Sequence, residues 1–292
     1  MKLNKIFAAF MLIAAVAFTA CEPQNPPTTN PGDGKDTTTV IPSDTTQIPT
    51  DTTTTPGTET EIDYLDGEIS VAQALAMAPE LGDTTDVIKV RGVVKSVKSV
   101  SLVYGNAQFY ITDDGQNELY CYNISGVNGE KFVCGYQLQE GDVVTVEARL
   151  YNYNNKGESL LEMIKGNLTR TTNTFDASTV GGPKVVTVTE AYQIGNELEG
   201  GKLTPYLYQA TGIVAEVEEA SAEFGNITFT IQDTESDQLM YCYRLRYLDN
   251  KKYSTEDPAI SVGDVVTVIA QIKKHYDSVQ FSDGYISEHI YE

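Results

Sequence analysis

Apolar residues are distributed along this chain in three regimes. Ile6 to Phe18 is an unbroken apolar run, behind Lys2 and Lys5 and ahead of the small residues Thr19 and Ala20. A basic start, a short apolar stretch and a small-residue exit predict a secretory signal over residues 1–20, since the run is too short to span a bilayer. From Glu22 to Ile62, bulky apolar residues almost vanish among Thr, Pro, Asp, Gly and Asn. Such a segment buries too little surface to offset the entropy of ordering, so residues 21–62 read as an extended tether reaching ~120 Å at ~3.1 Å per residue. Beyond residue 63, short runs alternate apolar and polar positions, the signature of half-buried strands.

This last region aligns with itself. Gly141-Asp-Val-Val-Thr-Val146 recurs as Gly263-Asp-Val-Val-Thr-Val268, and Phe109-Tyr-Ile-Thr-Asp113 as Phe229-Thr-Ile-Gln-Asp233. Leu119-Tyr-Cys-Tyr122 matches Met240-Tyr-Cys-Tyr243, Tyr104-Gly-Asn106 matches Phe224-Gly-Asn226, and Arg91-Gly-Val-Val94 matches Thr211-Gly-Ile-Val214. Five blocks in one order, at an offset of about 120 residues, indicate a duplicated domain rather than a solenoid of small repeats. The copies occupy residues 63–172 and 173–292.

Each copy opens with a short helical stretch, Ser70 to Ala78 or Thr189 to Glu197, starting on a hydroxyl residue suited to N-capping. In the first copy the strands run Val87 to Val97, Gln108 to Thr112, Glu118 to Asn123, Val143 to Tyr151 and Glu158 to Lys165. Gly92 inside the first of these fits a bulge or barrel bend. Five short strands with a small helix and a long connection between the third and fourth describe an OB-fold, a Greek-key barrel. The expected fold is therefore all-β: two tandem five-stranded OB-fold barrels, each with a short helix, after the tether. The small helix, the Gly-Val-Val strand, Phe-x-Ile-x-Asp and Gly-Asp-x-Val-x-Val together resemble the bacterial OB-folds attached to extracellular nucleases and phosphoesterases. Tandem versions resemble exported Bacteroidetes lipoproteins. The resemblance implies a nucleic-acid-binding accessory role.

The N-terminal region carries two further resemblances. Phe18-Thr19-Ala20-Cys21 resembles the lipobox of bacterial lipoproteins, which implies a diacylglycerol on Cys21 and a stable membrane anchor. Glu22 is the only acid directly after Cys21; the outer membrane is the expected location, with the periplasmic or surface side left open. Asp36-Thr37-Thr38, Asp44-Thr45-Thr46 and Asp51-Thr52-Thr53 resemble the O-glycosylation signal of exported Bacteroidetes proteins, which implies Thr37, Thr45 and Thr52 as acceptors; a bare spacer is the alternative.

Chemistry is sparse. The net charge is −21, which repels polyanions at long range, and no global basic footprint of a nucleic-acid binder is present. His275 and His289 fall on a terminal hairpin of the second copy, where surface histidines are the ordinary expectation. No zinc spacing, phosphate loop or nucleophile elbow occurs, so no catalytic residue, metal or cofactor is expected. Asp113-Asp114 and Asp233 to Asp237 read as turn residues ahead of a cation site. Cys121 and Cys242 take equivalent inward places, whereas Cys134 has no counterpart, which leaves a Cys121–Cys134 disulfide as an alternative to three free thiols.

The tyrosines are the remaining candidates. If Phe109, Ile111, Leu119 and Cys121 point inward, then Tyr110, Tyr120 and Tyr122 share the outer face, as do Tyr241 and Tyr243 in the second copy. Tyr151, Tyr153 and Tyr276 fall near the hairpins between the fourth and fifth strands. OB-folds hold extended ligands on these surfaces, although tyrosine also favours strands for packing alone. Arg244, Arg246, Lys251 and Lys252 form the single basic cluster beside such rings, making the second copy the better place for a single-stranded nucleic acid. A neutral glycan needs no basic patch. The sequence thus predicts a membrane-anchored, non-enzymatic envelope module that binds single-stranded nucleic acid or a glycan. An interaction with another envelope protein is the alternative, and a cryptic hydrolase the weaker one.

Overall fold

A computed structural model describes residues 62–291. The expected signal segment, Cys21, and Thr37, Thr45 and Thr52 lie outside the described residues. The first copy comprises β1 (Glu68–Ser70), α1 (Val71–Ala76), β2 (Thr84–Ser101), β3 (Asn106–Thr112), β4 (Leu119–Val127), β5 (Val143–Asn155) and β6 (Glu158–Thr171). The second comprises β7 (Lys184–Val185), α2 (Val188–Asn196), β8 (Tyr208–Ser221), β9 (Asn226–Asp233), β10 (Leu239–Leu245), β11 (Val265–His275) and β12 (Ser278–Ile290). Strands β2-β3-β4-β6-β5 pair in that order and β5 closes on β2; β8-β9-β10-β12-β11 do the same, with β11 on β8. Within each ring only β4–β6 and β10–β12 are parallel. This is the OB-fold Greek key, present twice.

Inward alternation accounts for the cores. Phe109, Ile111, Leu119 and Cys121 are fully buried in the first barrel, as are Phe229, Ile231 and Cys242 in the second. The strands outrun their expected ends because the long ones serve two neighbours. β2 pairs with β5 up to Val93 and with β3 from Val93 onward. Gly92 is needed at this bend for close approach: a Cβ there would meet the Thr112 carbonyl and Val71 Cγ2, each at 3.0 Å. Of the two expectations for Gly92 the bend holds, and the bulges lie at Lys95 and Lys98, where the β2–β3 register slips, and equivalently at Ala215 and Glu218 in β8.

The repeated motifs prove to be fasteners. Gly141 and Gly263 adopt φ of +90° and +99°, and the Asp142 and Asp264 carboxylates accept amides of Gln139 and Ser261 at 2.7 and 2.8 Å. That turn also needs a second donor. Asn173 Nδ2 supplies it to Asp142 at 2.8 Å, and His289 Nε2 to Asp264 at 2.8 Å. The His289 side chain is consequently buried rather than on the surface, with Nδ1 3.0 Å from the Tyr247 hydroxyl. His275 is exposed.

Asp113 and Asp233 tie the helices to β3 and β9, accepting the first-turn amides of Ala72 at 3.0 Å and Thr189 at 2.8 Å, groups a helix cannot satisfy internally. Asp114 organises the following turn, where the Gln116 and Asn117 amides hold its carboxyl below the ordinary range. Ser70 caps α1 as expected. The cap of α2 is Thr187, not Thr189, because Thr187 has the extended backbone an N-cap needs and closes a capping box with Glu190.

Helix α2 supplies a stability prediction. A Cβ on Gly195 would collide with Val279 Cγ1 and stand 2.8 Å from Ile272 Cγ2 on the barrel beneath it. Alanine in a helix normally gains about 1 kcal/mol over glycine, but overpacking costs about 1–3 kcal/mol. Gly195→Ala is therefore expected to lower, not raise, the urea midpoint of the second barrel. An increased midpoint would contradict this packing.

The barrels meet through strand ends and loops, away from the exposed Tyr122 and Tyr243. Ser101 Oγ donates to Asp283 Oδ1 at 2.9 Å, the Leu102 amide to Gln271 Oε1 at 3.2 Å, and the Gly135 amide to the Pro205 carbonyl at 2.8 Å. Leu207 packs against the first barrel's core, and the Tyr136 and Tyr206 rings meet edge to face at 5.8 Å. Cys121, Cys134 and Cys242 are buried free thiols, so no disulfide joins Cys121 to Cys134. Burial pushes the Cys121 and Cys242 thiols well up, which leaves them protonated and unreactive.

Candidate ligand-binding site

Strand alternation puts Tyr110, Tyr120 and Tyr122 on one outward face, and closure of the barrel decides what surrounds them. The parallel β4–β6 pairing sets Tyr120 beside Glu162 and Tyr122 beside Ile164. The β5–β6 hairpin then sets Tyr151 opposite Glu162 and Tyr153 opposite Leu160. The result is a cleft of about 640 Å³ whose walls include Tyr120, Tyr122, Tyr151 and Tyr153, with Glu162 and the exposed Lys165 among them. Ring centroids lie 6.1 Å apart for Tyr120–Tyr122 and 6.0 Å for Tyr151–Tyr153. Tyr122 and Tyr153 are exposed, at 41% and 43%.

Glu162 is the residue that sequence reasoning missed. It is 7% exposed, and no donor among the described residues reaches its carboxylate. Burial raises its carboxyl above the ordinary range. Lining the cleft without a donor of its own, it is placed to accept a ligand hydroxyl. Its only sequence signal is an acid on the apolar stretch Leu160 to Ile164.

Tyr110 stands outside the cleft but packs on Tyr120 in a tilted pair, ring centroids 4.9 Å apart. The bulge at Lys98 carries the ammonium 5.1 Å from the Tyr110 ring and 4.9 Å from the Tyr120 ring, within cation–π range. Tyr120 donates to Gln108 Oε1 at 2.7 Å. Burial, with Tyr110 and Glu162 nearby, pushes its phenol up to about 12, so it stays a neutral donor.

The second barrel does not repeat this tyrosine lining. By the same pairings, Gln280 takes the place of Glu162, Lys273 that of Tyr151, His275 that of Tyr153 and Ser278 that of Leu160. Tyr241 and Tyr243 do share an outer face, stacked at 6.3 Å. The bulge residue corresponding to Lys98 is Glu218, which accepts the Tyr241 hydroxyl at 2.5 Å. Burial first, and this bond second, push the Tyr241 phenol up to about 12. The basic cluster does not converge. Arg244 lies 5.1 Å from the Tyr243 ring and 6.0 Å from Phe224, whereas Arg246 sits 5.7 Å from Tyr104 of the first barrel, at the seam. Lys251 pairs with Asp249 on the surface, and Lys252 packs beside Gly225. Tyr276 is 81% exposed beside His275. Among the described residues no group of His, Cys, Asp and Glu is arranged to hold a metal ion.

No family model and no curated protein matches this chain. Among solved structures it is similar to the Ifi202 HINa domain in complex with a 20-bp double-stranded DNA, at 11% identity and a TM-score of 0.25, over 72% of this chain and 100% of that one. It is likewise similar to the tetrameric p202 HIN2, at 8% identity and a TM-score of 0.24, over 70% of this chain and 92% of that one. The OB-fold assignment follows from the strand order and the two ring closures.

Proposed function

We propose that this protein is a non-enzymatic binding module of the cell envelope, held at the outer membrane by lipid on Cys21, whose first barrel binds a neutral glycan along the tyrosine cleft. The observation that carries the reading is the convergence of four tyrosines around the unpartnered Glu162. Aromatic faces stack on the apolar faces of sugar rings, and a carboxylate accepts sugar hydroxyls. A phosphodiester brought to the same place meets a desolvated like charge, and the overall charge of −21 opposes it at long range.

A second reading, single-stranded nucleic acid on the second barrel, is favoured by one observation: the Arg244 guanidinium between the Tyr243 and Phe224 rings. Glu218 at Tyr241 works against it. Calorimetric titration of the full chain with neutral hexasaccharides (β-1,4-glucan, α-1,4-glucan and β-1,4-mannan) and with a single-stranded oligonucleotide separates the two. The glycan reading expects saturable binding of at least one hexasaccharide, insensitive to salt, and no oligonucleotide signal even at low salt. Saturable oligonucleotide binding that weakens steeply with salt, with every glycan silent, would reverse the assignment.

A further inference from the structure

The tyrosine cleft is not the end of the polar track on this face. It shares Asn123 with a second hollow of about 380 Å³ whose walls come from both barrels. Ser99, Asn106 and Gln108 belong to the first, Leu203 and Asp283 to the second. A hydrogen-bonded chain joins the two spaces: the Tyr120 hydroxyl donates to Gln108 Oε1 at 2.7 Å, and Gln108 Nε2 donates to Asn123 Oδ1 at 3.0 Å.

Two features mark this hollow as more than a gap between domains. Its walls offer hydroxyls, amides and a carboxylate, and neither lysine nor arginine lines it. Asp283 is held by the seam itself, accepting Ser101 Oγ on Oδ1, with the Leu102 and Val103 backbone amides also turned to its carboxylate. A carboxylate fixed in place beside a polar hollow is a preorganised acceptor for a ligand hydroxyl. Asn123 and Asp283 both adopt left-handed backbone, φ +52° each, a conformation that asparagine and aspartate tolerate better than most residues.

We propose that the seam hollow is a second sugar subsite, so that one neutral oligosaccharide runs from the tyrosine cleft past Asn123 onto the second barrel. The tandem barrels then form a single binding site, which gives the duplication a purpose: the second copy supplies the far wall of the site instead of a second tyrosine lining. The inference rests on the glycan reading of the cleft.

The test compares a hexasaccharide, long enough for both subsites, with its trisaccharide, which occupies the cleft alone. Both are titrated into the full chain and into two variants: Asp283→Gly, compatible with the positive φ, and Ser99→Tyr, which fills the hollow. The expected result is a loss of at least fivefold in hexasaccharide affinity with trisaccharide affinity unchanged, the latter also showing that the variants are folded. Should Asp283→Gly fail to fold, Ser99→Tyr alone carries the comparison. Equal affinities of both sugars in variants and parent overturn the subsite while the cleft reading stands, provided Tyr122→Ala weakens both. Silence of the parent chain toward every glycan overturns the cleft reading and the subsite together.

Discussion

Replacing Arg91 with alanine is expected to cost the first barrel about 3 kcal/mol, the low end of what breaking a buried ion pair costs, the buried pair here being Arg91–Glu68 because the Asp63 side chain is exposed. Arg91 is 2% exposed in β2. Its Nε and Nη2 donate to the carbonyl and carboxylate of Asp63 at 2.8 Å, and its Nη1 to Thr145 Oγ1 at 3.1 Å. Glu68, with its side chain 5% exposed, lies 3.9 Å from Nε. Alanine would leave a cavity and unpartnered polar atoms, but Glu68 would keep the Leu65 amide, the Thr145 hydroxyl and Arg170, which is why the low end applies. The second barrel manages without this network, since the equivalent Thr211 bonds Thr267 at 2.9 Å.

The loss should also depend on pH. Burial works to raise the Glu68 carboxyl, but the Leu65 amide, the Thr145 hydroxyl and the two guanidiniums outweigh it and hold the group below its ordinary range. A folded-state value below the unfolded one means stability that is present at neutral pH and lost as pH falls through about 4 toward the folded value. The gap between parent and Arg91→Ala should accordingly narrow in acid. Urea denaturation of both chains at pH 7 and below pH 4 provides the check. A difference under about 1 kcal/mol at pH 7 would show that the network is dispensable.

Replacing Tyr122 and Tyr153 together with alanine is expected to weaken binding of the hexasaccharide by about 100-fold. Aromatic anchors dominate binding energies, and a truncation of each costing about 1–2 kcal/mol gives this factor. These two are the informative choice because both are exposed and, among the described residues, no hydrogen bond ties their hydroxyls to the barrel. Tyr120, by contrast, is 8% exposed and bonded to Gln108, so its removal would disturb the barrel as well. Tyr241→Ala with Tyr243→Ala serves as the control and should change affinity by less than about twofold. Equal losses from the two pairs would mean that the aromatic faces act generally. No loss from Tyr122 and Tyr153 would make the cleft a packing feature.

Much of this architecture was readable from residue order. Period-2 alternation put Phe109, Ile111, Leu119 and Cys121 inside and Tyr110, Tyr120 and Tyr122 outside, because a strand's side chains have only two faces to choose from. The internal repeat supplied the second barrel by the same argument. Local signals were less reliable where two residues offered the same chemistry. Thr187 and Thr189 are both hydroxyl residues before an apolar run, and only backbone conformation and the pull of Asp233 on Thr189 decide which one caps the helix.

The functional site depended on contacts that alternation does not encode. Sequence charge favoured the second copy, with Arg244, Arg246, Lys251 and Lys252, yet the structure disperses that cluster and sends Arg246 to the seam. Lys98 reaches the tyrosine rings only because a bulge inserts it into β2, and Glu218 occupies the same bulge with the opposite charge.

By itself, then, the sequence determined the strands, their buried faces, the duplication and the outward tyrosines, since these follow from local periodicity and self-comparison. Only tertiary structure decided that β6 returns parallel to β4 and carries Glu162 into the tyrosine cleft, and that Asp283 meets Ser101 across the seam. The reason is physical: periodicity states which face of a strand is buried, whereas the neighbour of that strand is chosen by closure of the whole barrel around its core.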